Sequence, residues 1–90
     1  MNDEFVAAQA RAWGAAMAAR EDGFDDRVRE MCERAWGRVP TEHEIGALQS
    51  FMKSQSAAYG VDADAALNDA RVWTDIGQVL FMAKEFIYIG

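Results

Sequence analysis

The sequence predicts an all-α fold, a compact bundle of about four helices with short connections. Three observations predict it. Apolar residues recur at three- and four-residue spacing along most of the chain. Glycines and the single proline fall between these periodic stretches, where helices end and begin. Acidic residues gather at the starts of the stretches and arginines near their ends, which complements the helix dipoles.

The first helix is expected from about Asp3 to Arg20, with Asn2 or Asp3 as its cap. It is rich in alanine, the best helix former, and places Val6, Ala10, Trp13 and Met17 on one face. Glu21-Asp22-Gly23 ends it, with Gly23 suited to a left-handed turn. The second is expected from about Asp26 to Trp36. Val28, Met31, Cys32, Ala35 and Trp36 form one buried stripe, and Gly37 stands in the C-terminal glycine position.

The third helix has the clearest start. Thr41 is followed three residues later by Glu44, the pattern of a capping box, and Pro40 and Ile45 are spaced for a hydrophobic staple. Ile45, Leu48, Met52 and Tyr59 are its expected buried face, and Gly60 its stop. The fourth segment follows the Val61-Asp62-Ala63-Asp64 turn and runs to about Ala83, with a break expected near Asn68. Its stripe is Trp73, Ile76, Leu80 and Ala83. The tail from Glu85 to Ile89 is compatible with a continued helix and with an extended strap over the core. Arg20, Arg34, Arg38 and Lys84 are read as the cations near helix ends, and Asp62 and Asp64 as capping acids.

Length and composition bound the function. Ninety residues make a single domain, spanning 1–90, with a modest core. A hydrophobic content of 51% is enough for that core and too high for a disordered segment. A net charge of -6 with no basic stripe speaks against nucleic acid and anionic membrane surfaces as partners. No apolar run approaches the ~18 residues of a membrane span, and no stretch has the make-up of a signal peptide.

Catalytic, cofactor-binding and metal-binding residues are all expected to be absent. His43 is the only histidine and lies in the first turn of a helix, without partners for a metal or a catalytic triad. Cys32 is the only cysteine, and its place on an apolar stripe reads as buried and inert. Asp62 and Asp64 lack the further oxygen ligands of a calcium loop. Trp13, Trp36 and Trp73 fall one to a helix and read as a shared aromatic core in preference to a ligand pocket. Phe81 and Met82 lie off the main stripe and are grouped with Phe86 and Tyr88. They make either a candidate docking surface or a wider buried face.

The stretch Arg34-Ala35-Trp36-Gly37-Arg38-Val39-Pro40-Thr41, with Glu44, resembles the "R-A-(L/F)-G-R-x-P-T-x-x-E" segment of the planctomycete cytochrome-associated domain one family. That family is also called domain of unknown function fifteen-fifty-three. Trp73-Thr74-Asp75-Ile76, Leu80 and Glu85-Phe86-Ile87-Tyr88 are similar to its C-terminal close. Asn2-Asp3-Glu4-Phe5-Val6 with Gln9-Ala10-Arg11 is similar to its "N-(S/D)-x-F-V-x-x-Q-A-R" entry. The blocks come in family order and cover nearly the whole chain. Two departures are Met82-Ala83, where the family has Asn-Ser, and Trp36, where it has leucine or phenylalanine.

The resemblance implies the helical C-terminal part of a large exported protein, and it carries no catalytic residues over. The partner is then the rest of the parent or another protein, and the location exported or periplasmic. A free-standing chain would be a cytoplasmic acidic adapter. A third reading makes the domain an accessory to the active site of a larger enzyme, with Arg34, Arg38 and Trp73 facing the substrate. Gly37, Arg38, Pro40, Thr41 and Glu44 have a physical reading of their own as caps and turns, which points to fold specification. In that reading Arg38 covers the end carbonyls of the second helix or pairs with Glu44.

Overall fold

The computed structural model describes residues 3–89, and the surroundings of the side chains for residues 4–83. Within those residues the chain forms α1 (Asp3–Ala18), α2 (Phe24–Trp36), α3 (Glu42–Tyr59), α4 (Ala63–Ala66) and α5 (Ala70–Ile89). The described residues contain no strand, and the all-α bundle is the architecture observed. The Cα radius of gyration is 12.4 Å, against about 12 Å expected for a compact chain of this length.

α5 is the axis of the bundle. Val72, Trp73, Ile76 and Leu80 are fully buried on it, and each side chain of that size contributes about 1.5–3 kcal/mol when withdrawn from water. α1 lies antiparallel along α5 and makes the most extensive helix pair. Gly14 allows the approach. A Cβ at Gly14 would stand 2.6 Å from the Ala70 carbonyl oxygen and 2.9 Å from the Thr74 amide nitrogen. Opposite Ala10, a Cβ on Gly77 would meet only ordinary contact, 3.4 Å away at the nearest. Trp13 of α1 stacks on Phe81 of α5 at 5.1 Å between ring centroids.

α2 contributes Val28, Met31, Cys32 and Ala35 to the same core, and α3 contributes Ile45, Leu48 and Met52. Phe24 opens α2 and stacks on Trp73 at 5.6 Å. Gly60 ends α3 in the left-handed conformation, φ 71°, and the Val61 amide reaches back to the Ser56 carbonyl at 2.8 Å. The break near Asn68 is observed. The Asn68 side-chain amide donates to the Ala18 carbonyl at 2.9 Å, and Asp69 Oδ1 accepts from the Arg71 amide at 2.9 Å. These bonds divert the chain between α4 and α5 and start α5 afresh.

Several expectations are corrected. Gly23 is not left-handed: it is the N-cap of α2, with φ -76° and ψ 174° in the extended region. α2 therefore begins at Phe24, before the first charged residue. Tyr59 is not on the buried face of α3 but 37% exposed, because its hydroxyl turns to Asp75 on α5. Asp62 stands at the N-cap of α4, yet its side chain makes no capping bond. Lys84 lies in the body of α5, which runs on to Ile89 as helix, so the extended strap does not form. The cap expected at Asn2 lies outside the described residues.

Candidate functional site

Three places in the fold carry the groups that the sequence singles out. The first is the α2–α3 corner. Gly37 takes φ 74° and its amide donates to the Glu33 carbonyl at 2.9 Å, closing α2. Pro40 and Ile45 are both buried beneath the turn, as a staple requires. The Thr41 hydroxyl accepts from the Glu44 amide at 3.1 Å, and Glu44 accepts from the Thr41 amide at 2.8 Å. The same carboxylate takes both prongs of Arg38, at 2.8 Å each. Arg38 therefore pairs with Glu44, and its guanidinium also lies over the Trp36 ring at 4.8 Å. The Trp36 indole N–H donates in turn to the Leu80 carbonyl at 3.1 Å, tying the corner to α5.

This arrangement holds its charges in place. The Arg38 guanidinium, then the Thr41 amide, pull the Glu44 carboxyl down to about 2. A carboxylate held that low, with its lone pairs occupied, is no general base at neutral pH. Arg34, next to the corner, is exposed and pairs with Glu30 at 3.5 Å.

The second place is the outer side of α5. Phe81 lies half-buried and flat against Trp13, so one side of its ring belongs to the α1–α5 packing. Met82 is 62% exposed, and Phe5 on α1 is 63% exposed. The side chains of Phe86 and Tyr88 lie outside the described ones. Trp73 lies in the buried core, and Trp13 and Trp36 pack against the same core. Trp73 is fully buried, which removes it as a substrate-facing group.

The third place is a pair of surface clefts. One, about 290 Å³, opens between α2, α3 and α4 and is lined mainly by Phe24, Met52, Lys53, Ser56, Ala66 and Leu67. The other, about 420 Å³, lies beside Arg11, Tyr59, Arg71 and Asp75. In it Asp75 accepts from Tyr59 at 2.6 Å and Gln55 at 2.7 Å, while Arg71 covers the Tyr59 ring at 4.5 Å. The bond to Asp75 raises the Tyr59 phenol above its ordinary range, which keeps it protonated.

Comparison with protein-family models, curated proteins and solved structures finds no match for this chain.

Cys32 is fully buried, and burial pushes its thiol up to about 11, so it carries no reactive thiolate. His43 is exposed. No group of three or more histidine, cysteine or acidic side chains among the described residues is arranged to hold a metal ion. No helix among them is long and apolar enough to cross a membrane.

Sequence reasoning missed Arg27, whose guanidinium gathers bonds from three parts of the chain. It is only 2% exposed. Its guanidinium donates to the Met17 carbonyl at 3.0 Å, the Asp22 carbonyl at 2.7 Å and the Leu67 carbonyl. It also pairs with the Asp22 carboxylate at 3.1 Å and lies 5.9 Å from the centre of the Trp73 ring. The Trp73 indole donates to the same Leu67 carbonyl at 3.0 Å. A signal was present. Arg27 falls three residues after Phe24 and four before Met31, so it sits on the apolar stripe itself.

Proposed function

We propose that this chain is a non-catalytic helical interaction module, the C-terminal part of a larger exported protein of the planctomycete cytochrome-associated domain one type. The observation that carries the interaction role is Met82. It stands 62% exposed on α5, while Trp73, Ile76 and Leu80 of the same helix are fully buried. In this reading Met82 belongs to an apolar surface on α5 that a second body covers. Its occupant in this reading is the preceding part of the parent chain.

The corner supports the non-catalytic half of the reading. Gly37, Pro40, Thr41, Glu44 and Arg38 are engaged in caps, staple and pairing, so the motif works on the fold. Trp36, at the position where the resembling motif has leucine or phenylalanine, finds a partner for its indole in the Leu80 carbonyl. The substitution thus suits this bundle.

Size and docking are tested together. An antibody against this domain should detect a band several-fold heavier than 10.0 kDa in source cells. Met82→Glu should leave the melting temperature of the isolated domain within about 2 °C, as an exposed substitution does. The same change should release this domain from the rest of the parent after limited proteolysis. A band at the chain's own mass, or fragments that stay together in Met82→Glu, would sink the proposal.

A further inference from the structure

The cleft between α2, α3 and α4 pairs an apolar floor with one unengaged cation. Phe24, Met52, Ala66 and Leu67 supply the floor, and Lys53 stands on its wall. Among the described residues Arg20, Arg27, Arg29, Arg34, Arg38 and Arg71 are in ion pairs, whereas Lys53 and Arg11 are in none, and of these two only Lys53 lines this cleft. Ser56, buried at the base of the cleft, donates to the Lys53 carbonyl at 3.0 Å, so its proton is already in use. Its oxygen offers no donor to a ligand, and the ammonium of Lys53 is left as the group able to meet a negative charge.

We propose that this cleft binds a small apolar monocarboxylate, its chain on the Phe24–Leu67 floor and its carboxylate against the Lys53 ammonium. A cavity of about 150 Å³ takes one benzene ring. A cleft of about 290 Å³ accordingly has room for roughly ten heavy atoms, the size of octanoate. A second negative charge on the ligand would be repelled. Gln49 on the cleft wall donates to Asp25 at 3.3 Å, and Ala63 lies between the exposed Asp62 and Asp64. Those carboxylates oppose any anion, so the ligand carries its one charge at the Lys53 end and is apolar elsewhere.

The fold supplies its own reporter. Leu67 lines the cleft, and its carbonyl accepts the Trp73 indole N–H at 3.0 Å. Phe24 lines it too and stacks on the Trp73 ring. Titrating the intact chain with octanoate and recording amide and indole NMR signals should move the Trp73 indole and the amides of Phe24 and Leu67, saturably. Octanol, of the same length without the charge, should bind at least fivefold more weakly. Lys53→Met, at an exposed position, should remove that preference. Ala63→Leu, which fills the mouth, should weaken both ligands. Absence of shifts, shifts spread over the whole chain, equal binding of octanol, or an unchanged preference in Lys53→Met would each overturn the proposal.

Discussion

Two arginines hold two ends of this bundle in opposite ways. Arg38 works on the surface, half-exposed, on a partner six residues along the chain. Arg27 works in the interior, and its bonds reach ten residues back to Met17 and forty ahead to Leu67. The first tightens a corner that caps already define. The second joins the end of α1, the loop before α2 and the link before α5. Together they teach that the same side chain is an accessory where its partners are local and a keystone where they are distant. Buried carbonyls have no water to turn to when the donor is lost, whereas exposed ones do.

The largest expected effect breaks the interior end. Arg27→Met should cost about 2–4 kcal/mol, because the Asp22 carbonyl loses its donor while the Met17 and Leu67 carbonyls and the Asp22 carboxylate each lose one of theirs. Urea denaturation measures it, and a loss below about 1 kcal/mol would remove Arg27 from its central place. Thiol labelling gives a second readout: buried Cys32 should react only on unfolding, so its rate should rise in Arg27→Met.

The next effect separates tertiary from local glycines. Gly14→Ala should destabilise by about 1–3 kcal/mol, since its Cβ strikes the backbone of α5 at Ala70 and Thr74. Gly77→Ala meets only ordinary contacts and should be neutral, or stabilise by up to about 1 kcal/mol through helix propensity. At the corner, Gly37→Ala meets open space but keeps φ 74°, which should cost about 1 kcal/mol. Thermal melts of the three variants give the order, and Gly37→Ala costing more than Gly14→Ala would reverse the comparison.

The smallest effect is the charge at the corner, and pH resolves it. The Glu44 carboxyl is lower in the folded chain, at about 2, than its ordinary 4.5. Its contribution is therefore present above about pH 4.5 and lost as the pH falls through about 2. Solvent screening limits it to about 1 kcal/mol. Glu44→Gln should melt lower than the parent sequence at pH 6, and the gap should close towards pH 2. A gap that stays constant across that range would mean that the capping geometry matters and the charge does not.

The legible part of the molecule follows the same division. The corner could be read residue by residue, because a capping box, a staple and a C-terminal glycine are set by neighbours within a few positions. The break near Asn68 was legible as a place, but not as a bond to Ala18. Gly23 and Tyr59 misled for one reason. Each was read by a local preference: Gly23 serves instead as the extended N-cap of α2, and the Tyr59 hydroxyl turns to Asp75 on α5. Of the candidate docking residues, Met82 stays exposed, while Phe81 packs one side of its ring on Trp13.

By itself the sequence determined the helical class, the stripes of α1 and α2, that of α3 except at Tyr59, the α2–α3 corner and the inert setting of Cys32. Only the tertiary structure decided that α5 is the axis, that Gly14 lets α1 approach it, that Arg27 gathers three carbonyls, and that Lys53 is left facing a cleft. The reason is the range of the forces. Spacing and capping act within a turn or two of helix, whereas close approach and the satisfaction of buried carbonyls join residues far apart in sequence.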